Sequence, residues 1–207
     1  FYTTNSSIER RRKGTLALFM SVLKNKSLNN EELVSKEKSL KQLLWIGMGS
    51  ICMLFAGWTS IIFVDKMQFP ELPIWFMYST IVIITSSVLL IIIKIRIKKD
   101  KPIFSMMSFV FILGLLFTYC QFKGWGQLVL KDIVFSGGPK ELSLIYVLTG
   151  AHLVHLFAGL IVLFITIINT KRNRYNSISY LGLELTSIYW HFLALLWIYI
   201  FCFLNYL

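Results

Sequence analysis

Five stretches without a single charged residue, each 21 to 29 residues long, dominate this 207-residue chain: 43–64, 72–93, 102–122, 142–170 and 185–207. A helix rises about 1.5 Å per residue, so each stretch is long enough to cross about 30 Å of hydrocarbon. In lipid every backbone N–H and C=O must be paired inside the protein, and a continuous helix achieves this within one segment. The sequence therefore predicts an all-α polytopic membrane protein, a bundle of five transmembrane helices at approximately 43–64, 73–93, 102–122, 143–168 and 183–205. A β-barrel would need short alternating strands. A composition of 56% hydrophobic and 15% charged residues excludes a soluble globule, a disordered chain and a coiled coil. With 42–207 taken as the membrane domain, no room remains for a large extramembrane catalytic domain.

Charge sets the expected orientation. Nine of the 21 basic residues precede residue 43, five occupy the 94–101 loop and three the 171–174 turn, whereas the alternate loops hold only Lys66, Lys123, Lys131 and Lys140. Cytoplasmic loops retain Lys and Arg, so the N-terminus is expected in the cytoplasm and the C-terminus in the periplasm. The net charge of +11 then follows from topology and suits anionic lipid headgroups. No basic patch alternates with a reading element, so nucleic acid is not an expected partner. Residues 1–41 form a separate basic cytoplasmic or interfacial segment. There Arg10-Arg11-Arg12-Lys13 precedes Leu16, Phe19, Met20 and Leu23, a spacing that suits a helix lying on the inner membrane surface or docking on a partner. Trp45, Trp75 and Trp125 are placed to act as interfacial anchors or as packing residues.

Polar residues inside apolar spans are costly unless paired, so they mark the candidate sites. Cys52, Cys120 and Cys202 sit in separate stretches and read as packing residues. All three histidines, His152, His155 and His191, fall inside spans. His152 and His155 share a helical stripe with Thr149 and Gly159. His155 lies about 20 Å from the inner end of its helix and His191 about 12 Å from the inner end of its own, which disfavours a coplanar axial pair on a haem. No metal ligand set is expected. Interhelical hydrogen bonding is the leading expectation, with lipid-headgroup and proton-related roles left open. Glu184 opens the last span, where the positive end of the helix dipole favours an anion, and His191 returns to nearly the same face seven residues later.

Two motifs in these spans carry a resemblance. The segment Glu184, Tyr189-Trp190-His191-Phe192 and Trp197 resembles the last helix of cytochrome c oxidase subunit III. Leu148-Thr149-Gly150-Ala151-His152-Leu153-Val154-His155 is similar to another helix of that family. Met53-Leu54-Phe55-Ala56-Gly57, Ser86-Ser87 and Gln121 fall where similar residues occur. The resemblance extends from about Trp45 to Leu207 and is to the short five-helix bacterial form. Ile51 and Ala194 stand where the family usually carries carboxylates, which leaves Glu184 as the carboxylate available for any proton role.

The resemblance implies a non-catalytic core subunit of a proton-pumping terminal respiratory oxidase, with no redox centre in this chain. Haems and copper would belong to neighbouring subunits, oxidase subunit I being the main contact. Other respiratory-complex subunits and phospholipid would be further partners, in a bacterial inner (plasma) membrane. Expected lipid or structural contacts are His152, His155, Glu184, Trp190 and His191, with Thr149, Gln121 and Trp45 secondary. An accessory subunit of a quinol oxidase or nitric oxide reductase would carry the same motifs, and a small five-helix permease is the alternative from another class. The charge count predicts that alkaline phosphatase, which needs periplasmic disulfide formation, is active when fused after Leu207 and inactive within the 94–101 loop. The reverse pattern would invert the topology.

Overall fold

The computed structural model describes residues 3–64, 72–99, 101–130, 140–172, 175 and 180–206, with side chains from residue 32 onward except 33, 63, 140–142 and 206. Lys66, Lys131, Arg174 and the side chains of Arg10 to Lys13, Leu16, Phe19, Met20 and Leu23 lie outside the described residues. The elements in chain order are α1 (Thr3–Val64), α2 (Ile74–Ile97), α3 (Phe104–Leu130), α4 (Lys140–Lys171) and α5 (Leu181–Tyr206). Each contains a segment long and apolar enough to cross a membrane, so the chain is an all-helical, multi-pass membrane protein among its described residues.

The helices overrun the uncharged stretches because a charge ends an apolar run without ending a helix. On α3, Lys123 continues the coil and sets its ammonium 5.6 Å from the centre of the Tyr119 ring one turn earlier. On α2, Arg96 reaches across to the Met106 sulfur at 3.4 Å. Proline does set a boundary: Pro73, at φ −56°, caps α2, and its carbonyl accepts the Phe76 N–H at 3.0 Å.

Residues 1–45 and 46–207 form two units. In the first, the described backbone is helical, and Ser39 returns its hydroxyl proton to the Ser35 carbonyl at 3.0 Å. In the second, α2, α3, α4 and α5 form a ring in which α5 closes against α2. The buried positions explain the ring. On α2 they are Phe76, Ser79, Ile83, Ser86, Leu90, Ile93 and Ile97, and on α3 Met107, Val110, Gly114, Phe117, Gln121, Gly124 and Leu128, with Thr118 and Cys120 beside that series. The α2 set and the main α3 series alternate steps of three and four, the seam of helices packed in a left-handed supercoil. The opposite face of α2, including Ile81, Ile84, Val88, Ile91 and Ile95, is exposed and apolar, as a lipid- or partner-facing surface requires.

Residues 46–64 of α1 lie outside this ring and touch it through few side chains. Phe55 meets the His155 ring of α4 edge-on at 6.2 Å, and Thr59 shares a hydrogen bond of 2.9 Å with Tyr199 of α5.

Small residues let the ring close. Between lipid-like apolar surfaces association gains little from the hydrophobic effect, so close packing carries more of the energy. A methyl group on Gly114 of α3 would lie 2.7 Å from Leu160 of α4 and 2.8 Å from the Trp190 ring of α5. One on Gly159 would lie 2.9 Å from Leu193. Gly126, by contrast, has open space where its side chain would be. Gly114→Val is expected to destabilise the fold by about 1–3 kcal/mol through overpacking, while Gly126→Ala stays neutral or stabilises slightly. Thermal melts of the detergent-solubilised protein check this, and equal effects at the two positions would refute the packing account.

Candidate functional site in the helix interior

Four polar pairs of the interior are of one type. Ser79, Thr80 and Ser86 on α2 and Thr149 on α4 each donate their single hydroxyl proton to a carbonyl three or four residues earlier in the same helix, at 2.6 to 2.8 Å. A hydroxyl has one proton, so each oxygen is left able only to accept. Each meets an N–H donor from a neighbouring helix. Gln121 Nε2 of α3 donates to Ser79 Oγ at 3.0 Å, and Trp125 Nε1 of α3 to Thr149 Oγ1 at 3.0 Å. Trp190 Nε1 of α5 donates to Ser86 Oγ at 2.9 Å, and Trp197 Nε1 to Thr80 Oγ1 at 2.9 Å. The same logic fixes the Gln121 amide: Ser79 Oγ has no proton left to give, so the amide nitrogen must face it.

Trp190 and Trp197, seven residues apart on α5, are almost fully buried and each touches the three other helices of the ring. Trp190 bonds α2 through Ser86, and its ring fills the space above Gly114 of α3 and Gly159 of α4. Trp197 bonds Thr80 and packs against Phe76 of α2, Phe117 of α3 and His152 of α4, with ring centroids 5.2 to 5.9 Å apart. Beside them His191 shares a hydrogen bond between Nδ1 and the Ser87 hydroxyl, a third link from α5 to α2.

The histidines behave differently from one another. His191 bonds another helix, through Ser87 of α2. His155, half-buried, donates Nδ1–H to the carbonyl of Ala151 in its own helix at 2.7 Å, because the carbonyl one turn back lies within reach of the ring. The link between α4 and α5 there runs instead from the Tyr189 hydroxyl to the His155 carbonyl at 3.1 Å. His152 is 0% exposed and neither ring nitrogen has a hydrogen-bond partner among the described residues. The three therefore do not converge. Among the described residues, no group of three His, Cys, Asp or Glu side chains is placed to hold a metal ion.

Glu184 is half-buried in the first turn of α5, its N–H bonded to the Tyr180 carbonyl at 3.0 Å, and about 10 Å of helix rise separates it from His191. Thr149 and Gln121 belong to the buried pairs already described. Trp45, on α1, is 63% exposed. Trp125 is half-buried with its N–H committed to Thr149, which makes it a packing residue. Ser79, Thr80, Thr59 with Tyr199, and the Thr166–Thr186 bond of 2.8 Å between α4 and α5 were not singled out from sequence. The available signal was Ser79 and Ser86, two small hydroxyl residues seven apart in an apolar span and hence on one face.

Ser86→Ala leaves the buried Trp190 N–H without an acceptor, whereas Trp190→Phe together with Ser86→Ala removes both groups. The single change is expected to cost about 1–2 kcal/mol, and the double-mutant cycle to return a coupling near the 0.6 kcal/mol typical of interhelical bonds in membranes. Strict additivity would show that the pair contributes nothing.

Comparison with known proteins gives a consistent relationship. The family model described as cytochrome c oxidase subunit III matches residues 47–207. Subunit 3 of the cytochrome bo(3) ubiquinol oxidase from Buchnera aphidicola subsp. Acyrthosiphon pisum (strain APS) is 26% identical over 198 residues, covering 89% of this chain and 94% of that protein. Cytochrome c oxidase subunit 3 of Thermostichus vulcanus is 30% identical over 132 residues, 59% of this chain and 61% of the relative. The probable cytochrome c oxidase subunit 3 of Rickettsia prowazekii (strain Madrid E) is 30% identical over 108 residues, 51% of this chain and 37% of that longer protein.

Proposed function

Because this chain belongs to the cytochrome c oxidase subunit III family, with residues 47–207 matching its model, we propose that it is the non-catalytic core subunit of a proton-pumping terminal oxidase of the cytochrome c type. It is a subunit III of the haem-copper oxidases and a component of a multisubunit complex. In this reading it packs on the haem- and copper-bearing subunit I, in contact with other respiratory-complex subunits and phospholipid, in a bacterial inner membrane. The N-terminus and the basic 94–101 loop face the cytoplasm.

The observation that carries this reading is where the polar side chains of the interior are committed. Trp190, Trp197, Gln121, Thr149 and His191 hydrogen-bond other helices of the same chain, an arrangement suited to a rigid wall. Oxygen reduction then occurs on the haems and copper of the neighbour, and this chain holds that neighbour in its active form through repeated turnovers. Glu184, half-buried at the inner end of α5, and the basic residues of the 94–101 loop suit phospholipid headgroups at the cytoplasmic surface. Trp45, exposed on α1, suits the interfacial belt, and the open edge of His155 suits a partner or lipid contact. His152 belongs to the structural interior.

A quinol oxidase is the second reading, favoured by the bo(3) ubiquinol oxidase relative that aligns along 94% of its own length. The electron donor binds elsewhere in either complex, so the readings differ in the substrate the purified assembly oxidises. Gentle detergent extraction is expected to recover the chain with haem-bearing subunits, visible in the absorption spectrum, and the complex is expected to oxidise reduced cytochrome c. Oxidation of ubiquinol alone would select the second reading. A chain that purifies by itself and catalyses solute flux in liposomes would reject both and favour a permease. Within the complex, His191→Ala or Glu184→Ala is expected to shorten the active lifetime several-fold, with a smaller loss of initial rate. Immediate loss of electron transfer would argue for a direct redox role.

A further inference from the structure

Two polar groups at the centre of the helix ring are left without partners. His152 of α4 is 0% exposed, with neither Nδ1 nor Nε2 hydrogen-bonded, and Gln121 of α3 is 1% exposed, with Oε1 unpartnered. They lie at the same level of the ring. Phe117, one turn before Gln121, sets its ring centroid 5.7 Å from that of His152, and Trp125, one turn after Gln121, bonds Thr149, three residues before His152. Gln121 thus sits between the two α3 residues that touch α4 at His152 and at Thr149.

Among the described residues, the polar groups shown around them are already engaged. The Trp197 N–H, whose ring packs on His152 at 5.2 Å, is engaged by Thr80. The Thr149 hydroxyl proton goes to the Ile145 carbonyl, and the Ser79 proton to the Phe76 carbonyl. A neutral imidazole presents one donor and one acceptor, so an aromatic ring face could take its N–H but could not serve its other nitrogen. Full burial excludes a lipid headgroup or a partner's side chain, and no further metal-ligating groups gather around the ring among the described residues. Polar groups left unsatisfied in such a place are expensive, and buried water is the common remedy where two to four polar atoms converge.

We infer that this layer is a water-binding site, in which a buried water molecule bridges the His152 imidazole and Gln121 Oε1. The water donates one hydrogen to the unprotonated imidazole nitrogen and the other to the amide oxygen, whose orientation is already fixed by the Ser79 bond, and the imidazole N–H is left to a neighbouring aromatic ring. The ring interior is then polar and hydrated beside Trp197 of α5, on the side away from Trp190, and the bridge joins α3 to α4 where they make no direct polar contact through His152. This inference is independent of which oxidase the chain serves.

The test is a density map of the detergent-extracted protein with its co-purified partners, at a resolution where ordered waters are visible. The expected result is a peak about 2.7–3.2 Å from both a His152 ring nitrogen and Gln121 Oε1. A companion measurement uses His152→Phe, which keeps the aromatic contacts to Phe117 and Trp197, alone and with Gln121→Leu. Each single change is expected to lower the thermal midpoint by roughly 2–8 °C, and the double change by less than the sum, because either one removes the same bridge. No peak, a direct His152–Gln121 bond, or a His152→Phe protein as stable as the parent would overturn the inference. Should His152→Phe fail to assemble, the map of the unsubstituted protein decides by itself.

Discussion

A buried indole N–H in a membrane has no water to turn to, and the interior of this chain is arranged around that constraint. Each hydroxyl that receives an N–H from another helix has already given its own proton to the carbonyl of the preceding turn. The local bond, mildly unfavourable to an isolated helix in water, here converts the hydroxyl into an acceptor of fixed direction. Four helices are thereby cross-linked by bonds whose donor side lies on α3 and α5 and whose acceptor side lies on α2 and α4.

That directionality explains why α5 is the axle of the ring. Its two indoles lie at successive levels on one face, and each ring is in contact with α2, α3 and α4. The Trp190 indole fits because Gly114 stands against it without a side chain. Packing and hydrogen bonding at this level therefore depend on the same residues: a side chain at Gly114 would displace the indole that bonds Ser86. Individual interhelical bonds in membranes contribute little, about 0.6 kcal/mol on average. Their larger effect is to select one rotation and one register for each helix.

Such an interior suits a subunit III of the haem-copper oxidases, whose proposed task is to hold a neighbour in shape. Most of the polar groups of the interior are matched to one another, while the outer faces of α2 and α3 are apolar and open, as surfaces for lipid and partner subunits must be. α1 touches the ring through Phe55 and Thr59 and leaves a groove of about 240 Å³ against α5, lined by Cys52, Ala56, Phe192, Leu195 and Tyr199 among others.

The sequence by itself determined the number of membrane-crossing helices, their approximate limits and the polar residues that had to find partners, because the cost of an unpaired group in lipid acts on each segment separately. It also carried the family, through the motifs around His152 and His191. Only the tertiary structure decided which partner each polar residue found. His191 and His155 look alike in sequence, each a histidine inside a span, yet one bonds the Ser87 hydroxyl of another helix and the other its own backbone. That choice depends on how each helix is rotated against its neighbours. The rotation is set jointly by side chains more than a hundred residues apart, such as Trp190 against Ser86, and no single segment contains that information.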